Sequence, residues 1–216
     1  YNHFYHVTVK NLLTMSSGIN KVLLMGNEKK QGIGYPDYLK FMFSQKLECK
    51  PGSKFYYSNG DTYLLARIVS KVYNKPFTQL CYEKIFLPLE IGFPIWGCDP
   101  MGYCTAASEL SLSVEEMNRL GILFLNNGVY KGKRIISEAY VKACSTTQIK
   151  TNEDHWGDYS YQFWMTEGEG YRADGAFGQI TFIWPKYNLT LSFQRPEDDN
   201  LGRVLEILRE EVLSKL

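Results

Sequence analysis

Apolar positions set the first division of the chain. Leu64, Leu65, Ile68, Val69 and Val72 recur at the three-and-four spacing of a helix with one buried face. Just before them, Lys54 to Tyr57 reads as a short extended arm, so the chain turns a corner at Tyr57-Ser58-Asn59. Ser58 stands at the N-cap position, with Asp61 three residues on to answer it and to complement the helix dipole. Ser113-Val-Glu-Glu116 repeats this arrangement and opens a helix carrying Met117, Leu120, Gly121, Phe124 and Leu125, closed by Asn126-Asn127-Gly128. Further helices are predicted over Val7–Met15, with Thr8 as cap, and from Pro36 to Ser44. Others run from Phe77 to Phe86 ahead of Pro88, from Ser137 to Cys144, and over Leu201–Leu216.

Beyond Tyr159 the pattern changes to strands. Tyr161–Thr166, Tyr171–Ala173, Gln179–Trp184 and Leu189–Gln194 are separated by turn residues at Glu167-Gly-Glu-Gly170 and Pro185-Lys-Tyr-Asn188. Short turns imply antiparallel pairing, and the last helix should lie across the sheet. Residues 87–107 and 145–158 have no clear period and read as loops, the first running over the surface or around a pocket. The expected class is α+β, an antiparallel sheet flanked by helices.

Composition narrows the function. A chain of 216 residues, 44% apolar and 15% aromatic, can bury a substantial core, and one domain is the simplest partition. Its 24 basic and 23 acidic residues form no stripe of one sign, which argues against nucleic acid and membrane partners. No apolar run approaches the ~20 residues of a membrane span. Five cysteines, an odd number, fit a reducing compartment and slightly favour the cytoplasm. Cys98 and Cys104 lack a second pair of soft ligands and read as plain thiols. His3 and His6 have only His155 as a further histidine, so neither a metal site nor a cofactor is expected.

Four stretches, in this order and at these intervals, resemble the serine beta-lactamase-like hydrolases, a superfamily that holds class C beta-lactamases, DD-peptidases, esterases and aminohexanoate-oligomer hydrolases. They are Val9-Lys-Asn-Leu-Leu-Thr-Met-Ser-Ser-Gly-Ile19; Pro51-Gly-Ser-Lys-Phe-Tyr-Tyr-Ser-Asn59 with its helix; Leu112 to Gly128 with Lys131-Gly-Lys-Arg134; and Tyr161-Gln-Phe-Trp164 with Tyr171 to Gln179. The likeness covers nearly the whole chain. It implies a serine acyl-enzyme mechanism on a small ester or amide. In it Tyr57 is the general base or proton shuttle, Asn59 orients the substrate, and the Ala176 N–H, in a strand from Gly175 to Gln179, is an oxyanion donor. Gly175 would allow close approach to the acyl carbon, and Trp164 and Asp174 would line the pocket. The chain departs from the family first in that no serine is followed three residues on by a lysine. It therefore reads as the C-terminal portion of such a domain, residues 1–216, inert by itself. The alternatives are a pseudoenzyme that keeps the pocket for ligand or partner binding, or a chain completed by another polypeptide. Arg172-Ala-Asp-Gly175 stands where many members have Lys-Thr-Gly or His-x-Gly.

Overall fold

The computed structural model describes residues 2–19, 37–151, 157–176, 178–195 and 201–215. They form two compact units, Tyr1–Ser111 and Leu112–Leu216.

The first unit is helical. Helix α1 (Val9–Leu13) starts at Thr8, whose hydroxyl accepts the Asn11 N–H while the Asn11 side chain accepts the Thr8 N–H. Helix α2 (Tyr38–Ser44) is capped by Asp37, which accepts the Lys40 N–H at 3.0 Å. The expected start at Pro36 is therefore early, because the Asp37 carboxylate takes the capping role; Pro36 itself lies outside the described residues. Helix α3 (Asn59–Tyr73) ends at Asn74 in the left-handed region, φ 49°. Helix α4 (Phe77–Cys81) continues through a π turn, Tyr82–Phe86, and a 3-10 turn, Leu87–Leu89. The helical path thus outruns the stop expected before Pro88, because a proline in the first turn of a helical segment has no N–H to leave unpaired. Leu12, Tyr38, Met42, Tyr63 and Leu64 form this unit's core. The buried face of α3 holds Tyr63, Leu64 and Ala66, whereas Ile68 and Val72, expected inside, are exposed.

In the second unit, helix α5 (Val114–Leu125) has both arms of its capping box: the Ser113 hydroxyl accepts the Glu116 N–H, and the Glu116 carboxylate accepts the Ser113 N–H. A small hairpin, β1 (Val129–Tyr130) with β2 (Lys133–Arg134), precedes α6 (Glu138–Cys144), which Ser137 caps. The main sheet pairs β3 (Trp164–Thr166), β4 (Gly170–Asp174), β5 (Ile180–Trp184) and β6 (Leu189–Phe193) in sequence order, all antiparallel. Strand β3 starts three residues later than expected. The Ser160 N–H donates to Phe163 O and Gln162 adopts φ 64°, so residues 160–163 make a tight turn instead of extending.

Helix α7 (Leu201–Ile207) and the turns that follow it to Lys215 cover one face of the sheet, where Leu208, Val204 and Val212 pack on Ile180, Phe182 and Trp184. Helix α5 packs on β5 and β6. Gly121 makes this approach possible, since a Cβ there would stand 2.3 Å from Thr190 Oγ1 and 2.9 Å from Thr181 Cγ2. Three residues earlier, Asn118 Oδ1 accepts from the hydroxyls of Thr190 and Ser192. No helix among the described residues is long and apolar enough to cross a membrane.

Candidate functional site

The corner at the start of α3 is fastened to the turn that follows α1. Tyr56 N–H donates to Met15 O at 2.8 Å, Gly52 N–H to Ser16 O at 2.7 Å, and Ser58 N–H to Met15 Sδ at 3.4 Å. Met15 reaches this position in the left-handed region, φ 51°. Tyr57 is left half-buried on the extended arm, and Asn59 is buried in the first turn of the helix. Ser58 holds the N-cap backbone position, φ −145° and ψ 113°, but its hydroxyl makes no capping bond. The expected Ser58–Asp61 capping arrangement is absent because Asp61 turns elsewhere. Its Oδ1 accepts the Ser17 hydroxyl at 2.7 Å, with both residues almost wholly buried. Burial pushes the Asp61 carboxyl up to about 7, against the opposing pull of the Ser17 hydroxyl and backbone N–H. Ser58 Oγ and Asp61 Oδ2 are both buried without a hydrogen-bond partner among the described residues. The adjacent Gly60 leaves room for Met42, whose Cε would lie 2.2 Å from a Cβ at this position.

In the second unit, Trp164, Arg172 and Asp174 share one face of the sheet. Trp164 pairs in register with Arg172, and Asp174 lies two residues on along β4. The Arg172 guanidinium is buried and donates through Nε to Asp174 Oδ2 at 2.9 Å and through Nη1 to Met165 O at 3.0 Å. Burial holds its pKa below the ordinary arginine value, while Asp174 opposes that shift. Trp164 is buried with its ring edge-on to Tyr159, centroids 4.8 Å apart. Past Asp174 the backbone leaves the sheet. Gly175 N–H donates to Gln179 O and Gly178 N–H to Gly175 O, so the segment expected to continue as a strand is the turn between β4 and β5. Ala176 is exposed on this turn, and its N–H donates to no described residue. Gly175 faces the Gln179 side chain, whose Cγ would be 2.8 Å from an added Cβ.

The family model described as Beta-lactamase matches residues 1–194. The chain belongs to the beta-lactamase family. Solved structures place this beta-lactamase-family chain in the same fold. A Bacillus anthracis protein assigned as a 6-aminohexanoate-dimer hydrolase is 20% identical, covers 93% of this chain and 58% of its own length, and has TM-score 0.72. An octameric penicillin-binding protein homologue from Pyrococcus abyssi is also 20% identical, over 94% of this chain and 55% of its own, with TM-score 0.71. A penicillin-binding protein from Bacillus halodurans is 16% identical over 95% and 74%, with TM-score 0.73. The chain therefore spans a little over half the length of the first two. No curated protein matches.

Within the beta-lactamase-family chain, two of the stretches that carried the resemblance come together. The turn after α1 and the Tyr57-Ser58-Asn59 corner share the bonds just described. Sequence reading missed Ser17 and Asp61 as partners, because nothing in a spacing of 44 residues reveals a buried bond. The bond between Arg172 and Asp174 was also missed. The predicted strand Tyr171–Ala173 stops one residue short of Asp174, whereas the strand runs to Asp174 and puts both side chains on one face.

Proposed function

We propose that this chain carries the tyrosine and oxyanion parts of a serine acyl-transfer site acting on a small ester or amide. The supporting observation is the Tyr57-Ser58-Asn59 corner, held at the start of α3 by the turn after α1, within a chain of the beta-lactamase family. In this reading the nucleophilic serine, with a lysine three residues on, lies outside the 216 residues. The serine hydroxyl adds to the substrate carbonyl and its proton passes to Tyr57. The resulting oxyanion accepts the N–H of Ala176. Collapse expels the alcohol or amine, which Tyr57 reprotonates, and water then cleaves the acyl-enzyme by the same route. Asn59 orients the substrate amide, and Gly175 shapes the approach beside Ala176. Trp164 and Asp174 take a supporting role behind the turn, since Asp174 is bound to Arg172.

The test is Tyr57→Phe in the gene product that includes the Ser-x-x-Lys residues, assayed on p-nitrophenyl esters. Turnover should fall about 10²–10⁴-fold with an unchanged fold, the usual contribution of a positioned acid-base group. Unchanged turnover would remove Tyr57 from the mechanism. Substrate binding that weakens without any loss of turnover would favour a pocket kept for binding alone.

A further inference from the structure

Two cysteines stand opposite each other in the first unit. Cys98 and Cys104 pair as an isolated antiparallel bridge. The flanking bonds define its type: Asp99 N–H donates to Tyr103 O at 2.7 Å and Thr105 N–H to Gly97 O at 3.0 Å, while 98 and 104 exchange none. This is a non-hydrogen-bonded pair, in which side chains project from the same face and Cα atoms lie about 4.5 Å apart. A disulfide requires Cα atoms roughly 4.4–6.8 Å apart. Both thiols are free.

The intervening loop is already ordered. Asp99 Oδ1 accepts the N–H groups of Met101 and Tyr103, each at 2.9 Å, and Gly102 N–H donates to Asp99 O with Gly102 at φ 83°. Asp99 Oδ2 accepts the Tyr63 hydroxyl at 2.7 Å, which ties the loop to α3. The Arg67 guanidinium lies over the Tyr103 ring, 3.3 Å from its centroid. Cys98 is exposed, so an attacking reagent can reach it, and its bridge partner Cys104 is buried.

We propose that Cys98 and Cys104 form an oxidation site that closes a cross-strand disulfide with a small-molecule disulfide as oxidant. The Cys98 thiolate attacks one sulfur of oxidised glutathione, giving a mixed disulfide and one glutathione thiolate. The Cys104 thiolate then attacks the Cys98 sulfur and expels the second. Two protein protons are lost, two glutathione thiols are formed, and the protein is oxidised by two electrons. Burial raises Cys104 to about 11; partial burial, then the Asp99 and Glu109 carboxylates, raises Cys98. Closure therefore quickens as pH rises from neutral. Because Cys104 also lines a cavity of about 790 Å³ with Leu64, Arg67 and Phe77, the disulfide would fix one wall of that cavity.

The experiment is incubation of the folded chain with oxidised glutathione, followed by N-ethylmaleimide and peptide mapping. The expected product is lighter by two hydrogens and has lost maleimide labelling at Cys98 and Cys104. Cleavage after Tyr103 should leave the two peptides joined until reductant is added. Cys98→Ser should abolish the link, whereas Cys81→Ser should leave it intact. Full labelling of Cys98 after prolonged oxidation overturns the proposal. So does a link between Cys81 and Cys104, the other thiol pair close enough to influence one another.

Discussion

Asp61→Asn offers a direct measure of how firmly the Tyr57-Ser58-Asn59 corner is built. The native carboxyl is moved by burial from 3.8 to about 7. In the unfolded chain it releases its proton near its ordinary value, so between about pH 4 and 7 the folded protein binds more protons than the unfolded one. Stability from this group is therefore fully present below about pH 4 and lost as pH rises through about 7. At about 1.36 kcal/mol per pH unit, that displacement corresponds to roughly 4 kcal/mol. Asparagine keeps an oxygen to accept the Ser17 hydroxyl and has nothing to ionise. Relative to the native chain, Asp61→Asn should become more stable by on the order of 4 kcal/mol between about pH 4 and pH 8. With a urea dependence of about 1–3 kcal/mol per molar, the midpoint difference should change by roughly 2 M. Urea unfolding followed by circular dichroism at the two pH values measures it. A variant whose offset from the native chain is the same at both values would mean that Asp61 ionises normally, and the buried-carboxylate account would fail.

Two other substitutions probe the sheet. Asp174→Ala strands the buried Arg172 guanidinium without its carboxylate and should destabilise by about 3–5 kcal/mol; a loss under about 1 kcal/mol in a urea titration would show the pair to be dispensable. Gly121→Ala drives a methyl into Thr190 Oγ1 at 2.3 Å and should cost about 1–3 kcal/mol as an overpacked contact. The double variant Gly121→Ala with Thr190→Ser, which removes a methyl but keeps the hydroxyl, tests which atom is at fault.

The elements legible in the sequence were those whose cause is local. Thr8, Ser113 and Ser137 all cap as expected, because a hydroxyl three residues before its donor needs only its own helix. The four-strand order was equally readable, since each strand pairs with its neighbour in the chain. Errors arose where tertiary contacts decide. Ser58 loses its capping role because Asp61 is drawn to Ser17, from a separate stretch. The α3 stripe overstated burial at Ile68 and Val72, since helical spacing shows which side chains align and not how far a core extends beneath them. The turn at 175–179 read as strand because Gly-Ala-Phe-Gly contains nothing to forbid extension. At the candidate site, Tyr57, Asn59 and Ala176 rest on the resemblance alone, while the Ser17–Asp61 and Arg172–Asp174 bonds needed the folded chain.

The sequential order of β3, β4, β5 and β6 also has a kinetic consequence. Every strand pair is closed by a short local segment, at 167–169, 175–179 and 185–188. Closing such loops costs little chain entropy, and topologies rich in local contacts cross their folding barriers quickly. This sheet can therefore zip hairpin by hairpin, with no need to wait for a distant strand. Docking α5 is different, because its Asn118 and Gly121 meet Thr190 and Ser192 across about 70 residues of chain. The meander is placed to form early, and the helix that seals its polar face to join it late.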